Sequence, residues 1–155
     1  MKKTKTEIFS VRNFVVDKKV IKKMVYQILS LVDKQFESVS INFVSDEKLL
    51  QMNKEHLNHD YYTDILTFTF SNEPITTEIF ISFERAFENA KKYKSDYEDE
   101  ILRLITHGIL HSTGLNDQST TEKIKMRKAE NKILKSIVKS KFIKKFKVLD
   151  KWQSI

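Results

Sequence analysis

The chain has 155 residues and a hydrophobic content of 40%, which predicts one folded domain with one core. No apolar run approaches the roughly 20 residues of a membrane span, and the polar residues near the N-terminus exclude a signal peptide. The absence of cysteine excludes disulfides and thiolate metal ligands. We therefore expect a single cytoplasmic domain over residues 1–155, with any metal held by His, Asp, Glu or backbone oxygen.

The net charge of +7 is unevenly distributed along the chain. Residues 1–120 contain 16 Lys and Arg against 18 Asp and Glu, whereas residues 121–151 contain 12 against 3. A basic excess confined to the last fifth of a chain is typical of a surface that binds a polyanion. A solvated helix face followed by a basic tail from about residue 140 explains the same charge, so charge alone leaves both interpretations open.

Hydrophobic periodicity predicts an α+β fold, with a small mixed sheet of about four strands and helices packed on it. The predicted elements, in chain order, are a strand at 5–11, a helix at 17–32, a strand at 38–44, a helix at 45–57, strands at 64–70 and 78–83 around a turn at 71–74, and helices at 84–93, at 95–113 and from 119 onward.

Polar side chains mark where several of these helices begin and end. Three serine caps are expected to start helices: Ser45 alone, Ser95 in a capping box with Glu98, and Ser119 in a capping box with Glu122. Gly114 is expected to end the helix that begins near residue 95. That helix carries apolar residues on all sides, so we expect it to be buried in the middle of the domain.

Two histidines on this central helix suggest a metal site. His107 and His111 are four residues apart, so their side chains project from one face. Asp117 follows in the exit turn, where its carboxylate can act as a third ligand and leave the fourth position of a tetrahedral zinc ion to water. Histidines at this spacing are more often unrelated, but imidazoles in an apolar helix need partners. We predict one Zn²⁺ on these three residues, with nickel or iron as alternatives.

Gly108 stands between the two histidines. A glycine inside a buried helix costs about 1 kcal/mol relative to alanine, so we expect it to permit the close approach of backbone or substrate beside the metal. Zinc peptidases with a His-Glu-x-x-His motif carry their general base at this position, so the sequence lacks that base. His56 and His59 lie in a polar stretch and are expected to occupy a solvated loop rather than to bind metal.

Residues 107–117, His-Gly-Ile-Leu-His-Ser-Thr-Gly-Leu-Asn-Asp, resemble the signature His-Gly-x-Leu-His-x-x-Gly-x-x-His of the YbeY family. Residues 63–68, Thr-Asp-Ile-Leu-Thr-Phe, and 78–82, Glu-Ile-Phe-Ile-Ser, are similar to the family's strands Thr-Asp-Val-Leu-Ser-Phe and Gly-Asp-Ile-x-Ile-Ser. The resemblance spans roughly residues 38–134. It implies a metal-dependent, single-strand-specific endoribonuclease of ribosomal RNA maturation and ribosome quality control, with RNA or the small ribosomal subunit as partner.

The chain departs from the family pattern at two positions. The family's third histidine falls on Asp117, whose negative charge should make a metal-bound water less acidic. The family's catalytic arginine falls on Leu57, so no catalytic residue is assigned from the resemblance. Glu55 and Glu78 are candidate general bases. We hypothesise that Arg127 or a nearby lysine contacts phosphate.

Two further functions stay open at this point. The first is a non-catalytic RNA- or ribosome-binding factor with a structural metal, which the missing arginine favours. The second is a metallohydrolase that acts on another substrate. RNA would be held through its phosphates by the basic region 123–151. Phe142, Phe146 and Trp152 alternate with lysines there and either stack on unpaired bases or pack on the core as one face of a helix, and we expect the helix face for Phe142 and Phe146.

Overall fold

A computed structural model describes residues 3–147 of the chain. This part contains five helices and six strands, in the order β1 (Lys5–Phe9), β2 (Phe14–Val16), α1 (Lys18–Ser30), β3 (Phe36–Val44), α2 (Asp46–Leu57), β4 (Ile65–Asn72), β5 (Ile75–Ser82), α3 (Phe83–Tyr93), α4 (Tyr97–Ser112), α5 (Thr120–Ser136) and β6 (Ile143–Phe146). Within these residues, no helix has the length and apolar character that a membrane crossing requires.

Four strands form one mixed sheet in the order β1-β3-β5-β4. β1 and β5 both run parallel to β3, whereas β4 runs antiparallel to β5. A tight turn joins β4 to β5, as antiparallel neighbours allow, while each parallel pair is connected through helices. The prediction of an α+β fold with a sheet of about four strands is confirmed. A single domain over residues 1–155 stays a prediction.

Helix α4 lies against the centre of the sheet and is buried, as predicted from its apolar residues on all sides. Alternate residues of β5 face it, and the hydroxyls of Thr77 and Ser112 hydrogen-bond at 2.8 Å. A Cβ atom on Gly108 would lie only 2.9 Å from Cδ1 of Ile79. Gly108 does permit a close approach, but the prediction that substrate or backbone beside the metal requires it is wrong, because its neighbour is a core side chain of β5.

The predicted helix caps are confirmed at two of the three serines. Ser45 accepts a hydrogen bond from the backbone of Lys48 at the start of α2. Ser119 and Glu122 form a reciprocal capping box at the start of α5. At the end of α4, Gly114 adopts a φ of +103°, a conformation that favours glycine, and its N–H donates to the carbonyl of His111.

The start of α4 differs from the prediction. Its N-cap is Asp96 rather than Ser95, and the Asp96 carboxylate accepts a hydrogen bond from the backbone N–H of Glu98. A charged oxygen binds the amides of a helix N-terminus more strongly than a serine hydroxyl does. The Glu98 side chain instead accepts hydrogen bonds from the backbone of Phe142 and Ile143, which fastens the C-terminal strand to α4.

Residues 140–147, predicted as the start of a basic tail, belong to the fold. β6 pairs antiparallel with β2, Phe142 is buried, and the Phe146 ring packs against Phe14 and Tyr97. The core packing predicted for Phe142 and Phe146 is confirmed, but the predicted helix face is wrong, because residues 143–146 form a strand. The tail boundary at 140 is wrong because this segment pairs with β2 and packs on the core. Trp152 lies outside the described residues.

Candidate active site

A groove of about 930 Å³ opens between the start of β4, the second half of α4 and the first half of α5. The loop after α2 and the end of α3 close its other side. All three predicted metal ligands, His107, His111 and Asp117, lie on its wall. The fold therefore brings a helix and its exit turn together at one accessible surface, as the spacing predicts.

His107 faces a carboxylate on each side of its ring. Its Nδ1 atom lies 2.8 Å from Oε2 of Glu130, and its Nε2 atom lies 3.2 Å from Oδ2 of Asp117. A neutral imidazole carries one N–H, so it can donate to only one of the two carboxylates. The other nitrogen then presents its lone pair to a negative oxygen, and a second proton or a cation is needed between them.

His111 lies one helical turn further along, at the mouth of the groove. Its ring centre is 6.4 Å from that of His107, and the two ring planes are inclined by 67°. The His111 side chain is exposed. Within residues 3–147, no group of three or more His, Asp or Glu side chains is placed so that it could hold a metal ion.

A network of buried charges lies behind His107. The Oε1 atom of Glu130 forms an ion pair with Nη1 of Arg103 at 3.5 Å but accepts no hydrogen bond, and Arg103 donates two hydrogen bonds to Glu100, at 2.9 and 2.7 Å. The amide of Asn89 donates to Glu100 and to Asp64. These contacts join α3, α4, α5 and the start of β4, so the position of Glu130 and hence the orientation of the His107 ring are fixed from several sides.

Two members of this network have shifted pKa values. Burial raises the pKa of Asp64 above its ordinary value, and the charge of Arg103 and the hydrogen bond from Asn89 offset this only in part. Burial acts to lower the pKa of Arg103, but the hydrogen bond and charge of Glu100, with the charge of Glu130, outweigh it and raise that pKa further. Arg103 is therefore a permanent cation in the groove wall.

Of the three candidate catalytic residues, the structure brings Arg127, on α5, to the groove. Leu57, at the position of the family's arginine, also lines the groove, with 43% of its surface exposed. Glu55 does not line the groove; it is exposed on α2, where the amide of Gln51 donates to it. A hydrophobic side chain thus stands at the position of the family's arginine.

Glu78 lies away from the histidines. It alternates along β5 with Thr77 and Ile79, both of which contact α4, so its side chain is on the other face of the sheet. Its neighbour on that face, Phe80, packs against the cluster beneath α2. This position does not support the prediction that Glu78 acts as a general base at the groove.

Several groove residues were missed or set aside by sequence reasoning. Glu100, Arg103 and His107 follow one another at spacings of three and four on α4, a pattern that places them on one face and was available as a signal. Glu130 has no comparable local signal, because its partner His107 is 23 residues away. His59 is exposed, as expected of a loop residue, but it lines the groove.

Comparison with known proteins identifies the relatives of this chain. The profile of the family described as Endoribonuclease YbeY matches residues 6–138. The chain is similar to Endoribonuclease YbeY of Cytophaga hutchinsonii, with 45% identity over 72% of this chain and 74% of the relative. It is also similar to the protein of the same name from Parabacteroides distasonis, with 38% identity over 77% of this chain and 84% of the relative.

A solved structure shares the fold. The solution structure of a Thermotoga maritima protein matches with a TM-score of 0.56 and 22% identity, over 84% of this chain and 89% of that one. The sequence matches define the class of protein, an endoribonuclease. The chain belongs to the YbeY endoribonuclease family.

Proposed function

We propose that this protein cleaves single-stranded segments of ribosomal RNA during ribosome maturation and quality control, using one metal ion held by His107, His111 and Asp117. The activity is placed in the cytoplasm, a reducing compartment that suits a chain without cysteine. The observation that carries the proposal is the position of His107 between two carboxylates, at one wall of a groove with a basic rim.

The donor set fits a divalent cation. The buried carboxylate of Glu130 holds the proton of His107 on Nδ1, which leaves the lone pair of Nε2 directed at Asp117. A carboxylate behind the non-ligating nitrogen is the usual outer partner of a metal-binding histidine. Two imidazoles and one carboxylate suit zinc, with nickel or iron as alternatives. A cation between Nε2 and Asp117 removes the repulsion between two acceptors.

The protein residues have distinct tasks in phosphodiester cleavage. A divalent ion held at this site supplies a Lewis acid for the reaction. Glu130 fixes the tautomer and ring orientation of His107, and Arg103 holds Glu130 in place. Asp117 adds a negative charge where the family signature has a histidine, so the positive field at the site is weaker than with three imidazoles.

The basic rim supplies the contact with RNA phosphates. Lys123, Arg127 and Lys128 line the groove on α5, and within residues 3–147 none of the three forms an ion pair. Cations with no acidic partner are available to neutralise phosphates, and such binding weakens steeply as salt rises. Because Leu57 occupies the position of the family's arginine, Arg127 is the side chain proposed to contact phosphate.

Metal content and RNA cleavage, measured on the same preparations, test this function. We expect about one equivalent of zinc in the wild type, and the loss of both metal and cleavage in Asp117→Ala. A metal-bound wild type that cleaves neither structured nor single-stranded RNA would instead fit a binding factor with a structural metal, which the names of the relatives do not favour. Esterase or peptidase activity without RNA cleavage would indicate another substrate.

A further inference from the structure

We propose that His59 and Tyr61 form a stacking platform for an unpaired RNA base, and that this platform gives the groove its preference for single strands. The inference rests on the proposed function, because it assigns a subsite for the RNA substrate. Both residues lie in the loop after α2 and line the groove, which the basic side chains of α5 also line.

The two rings are stacked on each other and open to solvent. Their centres are 5.1 Å apart, their planes are inclined by 20°, and the Tyr61 hydroxyl lies 3.0 Å from Nδ1 of His59. Tyr61 is 56% exposed. An exposed aromatic pair leaves apolar ring faces in contact with water, and a nucleobase can cover such a face because every base has a π surface.

The loop is anchored in this shape before any ligand binds. Asn53, which is 1% exposed, donates from its side-chain amide to the carbonyl of Tyr61 at 3.0 Å. The backbone carbonyl of Asn53 accepts a hydrogen bond from the N–H of His59 at 3.1 Å. Asn58 adopts the left-handed conformation that reverses the chain between them. A platform that is already ordered loses less conformational entropy on binding.

The lining of the groove offers contacts for both sides of a single strand. An extended strand presents phosphates along one edge and bases along the other, and here the cations Lys123, Arg127 and Lys128 line the same groove as the rings of His59 and Tyr61. A base in a duplex is covered by its stacked neighbours and cannot reach a ring in this way. The phosphate linking the bound nucleotides would then lie above His107 and His111.

Tyr62 provides a matched control beside the platform. It is 46% exposed, but it does not line the groove. Its hydroxyl donates to Glu47 at 3.0 Å and its ring lies against Arg85. Replacing Tyr62 therefore removes a neighbouring exposed tyrosine without touching the proposed subsite.

The test is fluorescence anisotropy with two probes, a 2′-O-methyl oligouridylate and an abasic oligonucleotide of the same length, each checked for integrity on a gel afterwards. In Tyr61→Ala we expect binding of the oligouridylate to weaken about tenfold, with binding of the abasic probe unchanged. Tyr61→Phe should retain the wild-type affinity, His59→Ala should lose part of it, and Tyr62→Ala should match the wild type. Thermal melts of the two Tyr61 variants and of His59→Ala should coincide with the wild type, since the Tyr61 carbonyl that Asn53 holds is kept.

Other results would contradict either the platform or the proposed function on which it rests. Equal affinity of Tyr61→Ala and wild type for the oligouridylate shows that no base rests there. An equal loss on both probes shows that the backbone contact, rather than stacking, was altered. A wild type that binds neither probe contradicts the proposed function itself, whereas a wild type that binds both, together with an unaffected Tyr61→Ala, rejects only the platform.

Discussion

The Nδ1 atom of His107 lies 2.8 Å from Oε2 of Glu130, a carboxylate with only 2% of its side chain exposed. Because a carboxylate accepts a hydrogen bond from this nitrogen, a neutral His107 carries its proton on Nδ1, and the lone pair proposed to bind the metal is on Nε2. Glu130→Gln removes the negative charge and keeps the size of the side chain, and we expect it to weaken metal affinity about 10–100-fold. Competition with a chromophoric chelator measures this, and an unchanged dissociation constant would remove Glu130 from the site.

Arg103 balances the buried charge of Glu100 and Glu130. Arg103→Met keeps the aliphatic bulk but leaves both carboxylates without their cation, so we expect a loss of about 3 kcal/mol in the free energy of unfolding. Urea denaturation measures the change. Arg127→Met is the matched control on the exposed face of α5 and should stay within about 0.5 kcal/mol of the wild type. Equal stabilities of the two variants would contradict the network.

Asp64 should make stability depend on pH in a defined direction. Burial raises its pKa in the folded state above the ordinary value of 3.8, so the folded protein binds this proton more tightly than the unfolded chain does. The corresponding stability is present below pH 3.8 and is lost as the pH rises through the folded-state pKa. Relative to wild type, Asp64→Asn should therefore gain stability between about pH 4 and 7. Denaturant unfolding at several pH values measures this. If the free energies of unfolding of wild type and Asp64→Asn change in parallel across this range, the raised pKa is contradicted.

Gly108 permits the contact between α4 and β5. Gly108→Ala places a Cβ atom 2.9 Å from Cδ1 and 3.0 Å from Cγ2 of Ile79, and overpacking of this kind costs about 1–3 kcal/mol. Denaturant unfolding should show this loss, and Ile79→Val should restore part of it in the double variant by removing the Cδ1 atom. A gain in stability is what the higher helix propensity of alanine alone would give. It would show that the Ile79 side chain or β5 shifts to accommodate the added Cβ atom.

Arg127 is the proposed phosphate contact on α5. Arg127→Ala should weaken RNA binding and reduce the slope of log affinity against log salt by about one, as the loss of a single phosphate contact does. Glu55 is exposed on α2 and does not line the groove, so Glu55→Ala is the control. Anisotropy titrations at several salt concentrations measure both, and an unchanged affinity in Arg127→Ala would reject this assignment.

Local patterns predicted the parts of the fold that depend on local forces. The apolar character of α4, the caps Ser45 and Ser119, and the stop at Gly114 all follow from interactions within a few residues. The pair β2 and β6 was not predicted, because three residues and the lysine-rich Ile-Lys-Lys-Phe carry too little pattern for a strand. Their pairing depends on aromatic packing between the two ends of the chain.

The residues of the candidate site also fall into those that local pattern predicts and those that depend on tertiary packing. His107 and His111 are related by helix geometry, so their common face was predictable. The partners that orient them are not, because Glu130 and Arg103 meet only when α5 packs against α4. Glu78 was a reasonable candidate base by residue type, but the strand's alternation places it on the far face of the sheet. The face that α4 covers carries Thr77 and Ile79, and this pairing of helix and strand is a tertiary contact that local pattern does not give.

Anomalous diffraction at the zinc edge, on crystals grown with zinc, tests the central claim most directly. We expect one strong peak about 2.0–2.2 Å from Nε2 of His107, with a ring nitrogen of His111 and a carboxylate oxygen of Asp117 at similar distances. The peak should disappear in crystals of Asp117→Ala. A peak elsewhere, or none in crystals that diffract well, would contradict a metal centre at these three residues.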